Sequence, residues 1–276
     1  MNRVVILGGR GFLGSALARR LKDTLPLGSA DVNLLEPASV EKLRGIVRDG
    51  DALVFAAALT PDKGKDARTA MKNLAMGEHI AAVVGSVKFL HVIYISSDAV
   101  YADDANPVRE TSCASPTTLY GLMHLMRERM ILVAAQKTPV LILRPCTLYG
   151  ASDTHNSYGP NRFIRTALKD RQIQLFGQGE EQRNHLHVDD CARLIELCLQ
   201  QQRAGLLNAA TGQAVSFMEV AQLASEIVAG VTVKGQPRSG PVTHRHFDIS
   251  EVIKAFPAFR FTTLRDGLTN MAKQLR

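Results

Sequence analysis

Residues 3–21, "RVVILGGRGFLGSALARRL", decide how the rest of the chain is read. Arg3 to Leu7 is a short apolar run rich in β-branched residues, the pattern of a strand buried on both faces. Phe12, Leu13, Ala16, Leu17 and Leu21 then recur with helical spacing. Between the two, Gly8, Gly11 and Gly14 form GxxGxxG. Glycines at such a place let the backbone turn tightly and approach a pyrophosphate, whose charge lies at the positive end of the following helix. Alone the pattern is a weak signal; directly after a strand and opening a helix, it predicts a dinucleotide-phosphate loop. The alternative is a glycine turn that only packs a helix close to a strand.

Outward from the loop, apolar runs alternate with helical patterns through the first half of the chain. Strands are expected at 3–7, 52–57, 89–95 and 140–143, with a weak second strand at 27–32, and helices at 38–48, 67–84 and 116–135. This alternation predicts an α/β fold, a Rossmann-type doubly wound parallel sheet, with a smaller C-terminal substrate-binding lobe. The polar stretch "YGASDTHNSYGP", 149–160, has the composition of a domain edge or substrate lid. "GLLNAATG", 205–212, reads as a strand returning to the first sheet. The expected division is therefore 1–150 with 187–212 for the dinucleotide domain, and 151–186 with 213–276 for the substrate lobe.

The 276 residues are 46% apolar, enough for a large core, and carry a formal charge of +7 spread along the chain. With no basic tail and few aromatics, nucleic acid is not an expected partner. Glycines interrupt the first apolar run too early for a secretory leader, and no later stretch is apolar enough to span a membrane. Cys113, Cys146, Cys191 and Cys198 contain no CxxC pair, so neither disulfides nor zinc are expected; Cys191 and Cys198 are read as sharing one buried helix face. His185, His187, His244 and His246 lack the spacing of metal ligands, and no metal is expected. A cytoplasmic protein is the expectation, with oligomeric state open to a homodimer.

Four segments taken in order resemble the extended short-chain dehydrogenase/reductase family, the NAD(P)-dependent epimerases, dehydratases and reductases of nucleotide-linked sugars. They are the glycine loop; "ISSDAVY", 95–101, followed by "TLYGLMH", 118–124; "LILRPCTLYG", 141–150; and "LFGQGEEQRNHLHVDDCARLIELCL", 175–199. The resemblance implies that Ser97 holds the reacting oxygen and Tyr120 exchanges the proton. Where the family has a lysine one helical turn after the tyrosine, this chain has His124. The difference is chemical. A phenol of pKa ~10 needs a nearby cation to ionise, and histidine at ~6.5 is only partly charged at neutral pH. Three readings follow: His124 still bonds the nicotinamide ribose in an altered enzyme, Tyr120 mainly donates a proton as in a reductase, or the chemistry is lost and the ligands kept. A helix histidine without a role is the bland fourth. Asp98 is a possible second acid or only a loop cap; Ala99 stands where the family's 4,6-dehydratases have a glutamate, which disfavours elimination.

For the cofactor, the resemblance assigns Gly8, Arg10, Gly11, Phe12, Leu13 and Gly14 to the phosphate loop, Asn33 and Leu34 to the adenine, Ala56 and Ala57 to the place beside the cofactor, Asn73 to the supporting network, and Pro145 to the cofactor-binding residues. "LPLGSADVNLLE", 25–36, shows no acid in the place expected for an NAD-preferring chain. It resembles the second-strand region of GDP-fucose synthase, so that Arg10 with Ser29 would hold a 2′-phosphate. NADP is thus expected, with NAD open, and an exposed Arg10 is the alternative. The nucleotide-sugar substrate would be held by Asn161 in "GPNRFIRTAL" and by Arg183 and Arg238, whose forked donors engage phosphate oxygens in pairs. A non-catalytic sensor or scaffold that binds NADP is the competing reading.

Overall fold

The computed structural model describes residues 3–238 and 240–276. In chain order the first half runs β1 (Val4–Leu7), α1 (Phe12–Arg20), β2 (Thr24–Leu27), α2 (Ser39–Ile46), β3 (Ala52–Phe55), α3 (Ala67–Val84), β4 (His91–Ile95), α4 (Leu119–Ala134) and β5 (Val140–Pro145). The second half runs β6 (Thr147–Tyr149), α5 (Pro160–Asp170), β7 (Gln172–Phe176), β8 (Gln182–His187), α6 (Val188–Gln200), β9 (Gly205–Ala209), β10 (Ala214–Ser216), α7 (Phe217–Ile227), β11 (Thr232–Gln236), α8 (Ser250–Ala255) and α9 (Leu264–Leu275).

Two compact units emerge, one of residues 1–102, 112–145 and 191–208, the other of residues 103–111, 146–190 and 209–276. The first holds a six-stranded parallel sheet in the order β2-β1-β3-β4-β5-β9. β1 lies at the centre of the reversal: it pairs with β2 on one side and β3 on the other, both parallel. Strands of this kind are covered on both faces, which is why β1, β3 and β4 are buried at every position. Val5, Leu7, Phe55, Tyr94 and Ile80 belong to one hydrophobic cluster there. In the second unit Tyr149, Phe163, Phe217 and Leu268 belong to a separate cluster, beside a three-stranded sheet β10-β8-β6 and the pair β11-β7. Cys191 and Cys198 are buried on α6, and among the described residues no disulfide joins two cysteines. Among the described residues no helix is long and apolar enough to cross a membrane.

The second strand differs from expectation. It spans Thr24–Leu27, not 27–32. The Leu27 carbonyl accepts from Gly8 and Gly9, and a turn follows at once, with the amides of Asp31 and Val32 on the Gly28 carbonyl. Strand pairing therefore ends where the glycine loop takes the last acceptor. Helix α4 likewise starts later than the expected 116, because Thr118 accepts a hydrogen bond from the Gly121 amide and so fixes the N-cap.

Glycines in α1 and α2 separate packing from propensity. A Cβ on Gly14 would stand 2.1 Å from the Gly8 carbonyl oxygen, whereas one on Gly45 meets nothing. Gly14→Ala is expected to cost about 1–3 kcal/mol through overpacking. Gly45→Ala should stabilise by about 1 kcal/mol through helix propensity. Thermal melts of the two variants check the opposite signs.

Candidate active site

The loop after β1 is shaped by backbone contact. Gly8 has φ +85°, and a Cβ there would lie 2.8 Å from the Ala57 nitrogen at the end of β3. Gly11 is the N-cap of α1, with no side chain capping the helix and no acidic residue in its first turn. An uncapped helix N-terminus beside a side-chain-free cradle suits an anionic phosphate, so the residues present fit the phosphates of a dinucleotide. Leu13 and Gly14 are buried against the sheet, while Phe12 is half-buried.

Past β2, an acid does stand where none was expected. The Asp31 carboxylate accepts from the Gly28 amide at 2.8 Å and from Arg10 Nη2 at 2.8 Å. Reading 27–32 as strand placed Asp31 inside it; ending β2 at Leu27 moves Asp31 into the turn. Arg10 is exposed but ion-paired, and lies across Gly28, whose absent Cβ would meet Arg10 Cδ at 2.9 Å. Ser29 is exposed. The Asn33 side chain accepts from the Leu35 amide and donates to Glu36, and Leu34 is buried in the core cluster.

Ser97, Asp98 and Tyr120, expected from the sequence to form the reactive group, lie where α4 starts. A Cβ on Gly121 would stand 2.0 Å from the Ala99 carbonyl oxygen, so α4 presses onto the tight 3-10 turn Asp98–Val100. That contact brings the Tyr120 helix to Ser97 and Asp98, all three half-buried. Ser97 Oγ accepts from the Ala99 amide at 3.1 Å and donates to Asp98 Oδ1 at 3.4 Å. The Tyr120 ring meets the His124 ring edge-on at 4.6 Å between centroids. His124 is buried, with Nδ1 2.6 Å from the Tyr94 hydroxyl and Nε2 without a partner. Burial, reinforced by Arg127, holds the imidazole well below its ordinary pKa, so His124 is neutral at pH 7. Burial pushes the Tyr120 phenol up to about 12, with Arg127 acting against the rise and Asp98 and Asp62 adding to it.

The support beneath is ionic. Arg144 donates to both carboxylate oxygens of Glu128, at 2.9 and 2.6 Å, and Ser96 Oγ donates to the same carboxylate at 2.5 Å. Arg144 also lies over the Tyr101 ring, whose hydroxyl donates to Asn208 at 2.8 Å. This fastens α4, β4 and β5 together next to Ser97, and Pro145 closes β5 as a buried residue. Asn73 of α3 accepts from the Leu59 amide at 2.8 Å and donates to its carbonyl at 2.9 Å, which fixes the chain past Ala56 and Ala57.

In the second unit, Asn161 is buried and committed to backbone: its Oδ1 accepts from the Gly150 amide and its Nδ2 donates to the Leu148 carbonyl. Arg183 donates to the carbonyl and hydroxyl of Thr243 at 2.6 and 2.8 Å. Arg238 donates to Glu181 at 3.1 Å, and Glu181 also lies 3.7 Å from Arg183. Both arginines thus share one carboxylate. Burial works against its charge, but the Arg238 hydrogen bond and Arg183 hold it below the usual range.

Sequence reasoning passed over Asp31, Tyr94, Arg127, Glu128 and Arg144. One signal was present: His124, Arg127, Glu128 and Ile131 follow the i, i+3, i+4, i+7 spacing of a core-facing stripe, filled mostly by ionisable groups.

A six-stranded parallel sheet with a glycine cradle at the strand-order reversal, and a Ser–Tyr pair on the neighbouring strand and helix, define a dinucleotide-binding α/β class. Residues 4–210 match the family described as NAD dependent epimerase/dehydratase, and the chain belongs to that family. It is 26% identical over 184 residues to the uncharacterized UDP-glucose epimerase YtcB of Bacillus subtilis (strain 168), a match covering 64% of this chain and 58% of that protein. The chain therefore matches less than two thirds of that relative's length. Among solved structures it is similar to MoeE5 in complex with UDP-glucose and NAD, with TM-score 0.83, 23% identity, and coverage of 100% of this chain and 99% of the other. It is similar also to RMD from Pseudomonas aeruginosa complexed with NADPH, with TM-score 0.86, 22% identity, and coverage of 99% and 98%.

The Glu128–Arg144 pair gives a direct test of the support. Glu128→Gln leaves a buried guanidinium short of its counter-charge and is expected to lower unfolding free energy by about 3–5 kcal/mol. Urea denaturation followed by circular dichroism measures it; the paired change Glu128→Leu with Arg144→Met should cost less than the single change.

Proposed function

We propose that this chain is an NAD(P)-dependent oxidoreductase or epimerase of a nucleotide-activated sugar, and that reduction of a sugar carbonyl is the reaction its site favours. The observation that carries the choice is the Tyr120 phenol, raised by burial to about 12 next to a neutral His124. Such a group is protonated at neutral pH and is suited to give a proton to an oxygen that becomes a hydroxyl. Ser97 holds that oxygen, and Asp98 is a second acid within reach of Ser97. Ala99, in place of the dehydratase glutamate, supports hydride and proton transfer over elimination of water. When bound, a nicotinamide dinucleotide supplies the hydride. Gly8, Gly11 and Gly14 with the N-terminus of α1 hold its pyrophosphate, Asn33 and Leu34 flank the adenine, and Ala56, Ala57 and Pro145 leave room beside it. Arg183 and Arg238 bind the diphosphate of the sugar nucleotide by exchanging Glu181 for phosphate oxygens. The family and the UDP-glucose bound by the similar MoeE5 support a sugar nucleotide.

The test is turnover of nucleoside-diphospho-keto-sugars with NADPH or NADH, followed by dinucleotide absorbance. Tyr120→Phe should abolish turnover and leave dinucleotide affinity nearly unchanged. Comparable turnover in that variant removes Tyr120 from the chemistry, and dinucleotide binding by the native chain with no turnover of any keto-sugar favours the scaffold reading.

The Arg10–Asp31 pair sets the cofactor preference. Asp31 occupies the guanidinium and repels a 2′-phosphate, so Asp31→Asn should raise the ratio of NADPH to NADH affinity about tenfold, equivalent to about 1.4 kcal/mol. Fluorescence titration with both dinucleotides reads the ratio; no change removes the pair from cofactor selection.

A further inference from the structure

The site lacks the cation expected after Tyr120, and a different one is buried a turn beyond. Tyr120, His124 and Arg127 stand at i, i+4 and i+7 on α4, one above the other on a single face. Arg127 is 0% exposed. Its guanidinium lies 4.1 Å from the centre of the Phe55 ring and 5.2 Å from that of Tyr94. Nη2 donates to the Ala57 carbonyl at 2.8 Å, Nη1 approaches Asn73 Oδ1 at 3.5 Å, and Nε has no partner. Among the described residues no carboxylate forms an ion pair with it: the adjacent Glu128 is held by Arg144. Space for it is opened by Gly77 of α3, where a Cβ would stand 2.7 Å from Arg127 Cγ.

Burying a guanidinium without a counter-ion is costly, because no opposite charge compensates for its lost hydration. The ring faces and the Ala57 carbonyl offset part of that cost and leave its charge unbalanced. Around it stand the Phe55 and Tyr94 rings; the Tyr94 hydroxyl lies on His124, and the Tyr120 ring meets that same imidazole edge-on, two helical turns before Arg127 on the same face of α4. We propose that Arg127 is the fixed cation of this site, a positioning residue that takes over toward the Tyr120 phenol the electrostatic role of the lysine replaced by His124. This rests on Tyr120 as the proton donor. When the proton passes from Tyr120 Oη to the substrate oxygen, the electron pair of the broken O–H bond stays on the phenolate, and a nearby cation stabilises that anion. Asp98 from the 3-10 turn and Asp62 from the segment after β3 act in the opposite direction; His124, neutral, contributes no charge. Burial is the main reason the imidazole is neutral, and Arg127 reinforces it, since a second cation beside it is disfavoured.

The test places 3,5-difluorotyrosine at position 120, whose lower intrinsic pKa brings the phenol titration into the range where the protein is folded, and follows it by fluorine NMR in the chain free of sugar and dinucleotide. Arg127→Met should raise the midpoint by about one pH unit or more, and Arg127→Lys should restore most of the shift. Where methionine disturbs the fold, replacing the Arg127 guanidinium by the neutral ureido group of citrulline keeps shape and hydrogen-bond donors and removes only the charge. An unchanged midpoint in a folded, uncharged variant overturns the proposal. Because no substrate is present, this result is independent of the Tyr120→Phe turnover experiment.

Discussion

Backbone meets backbone at the ends of β1 and β3, and the rest of the first unit is arranged around that approach. The contact between Gly8 and Ala57 tolerates no side chain, and Gly14 repeats the condition one helical turn along α1. The cradle, the angle at which α1 leaves the sheet, and the path of the chain past Ala57 are set together. Asn73 fixes that path from α3, and Arg127 fixes it from α4 through the Ala57 carbonyl. The glycine loop and helix α4, remote in sequence, therefore share one anchor.

Helix α4 carries an uncommon load for a buried helix. Its inward stripe is charged or titratable at His124, Arg127 and Glu128, where leucine-like residues ordinarily lie. Each charge has a different resolution. Glu128 is neutralised by a bidentate arginine from β5, His124 is kept uncharged, and Arg127 is left as a cation among aromatic faces and carbonyl oxygens. The stripe therefore combines rigid fastening at one turn with an unbalanced field at the next.

How much of this could be read from the chain depends on where its information is local. The glycine turn after the first strand and the strand–helix alternation were legible, because each follows from a short pattern with one physical meaning, whereas Ser97 and Tyr120 were singled out by the family resemblance alone. The position of β2 was not: Leu25 to Val32 contains Pro26 and Gly28, and its end is decided by a hydrogen bond from Gly8, far away in sequence. Asp31 was missed for the same reason, since its partner Arg10 is reached only across the turn. Arg127 was missed because an arginine on a helix is ordinarily read as solvated; that it turns inward is determined by Gly77 on another helix.

That last pairing ties two positions into one heritable unit. Any side chain at residue 77 collides with the arginine at 127, and with glycine at 77 a smaller residue at 127 leaves a void between α3 and α4. The two positions are therefore coupled: a side chain fits at 77 only where the arginine at 127 no longer fills that space. Changes at 77 and 127 are thus non-additive, and packing alone holds the pair in this arrangement, whatever the chemistry it serves.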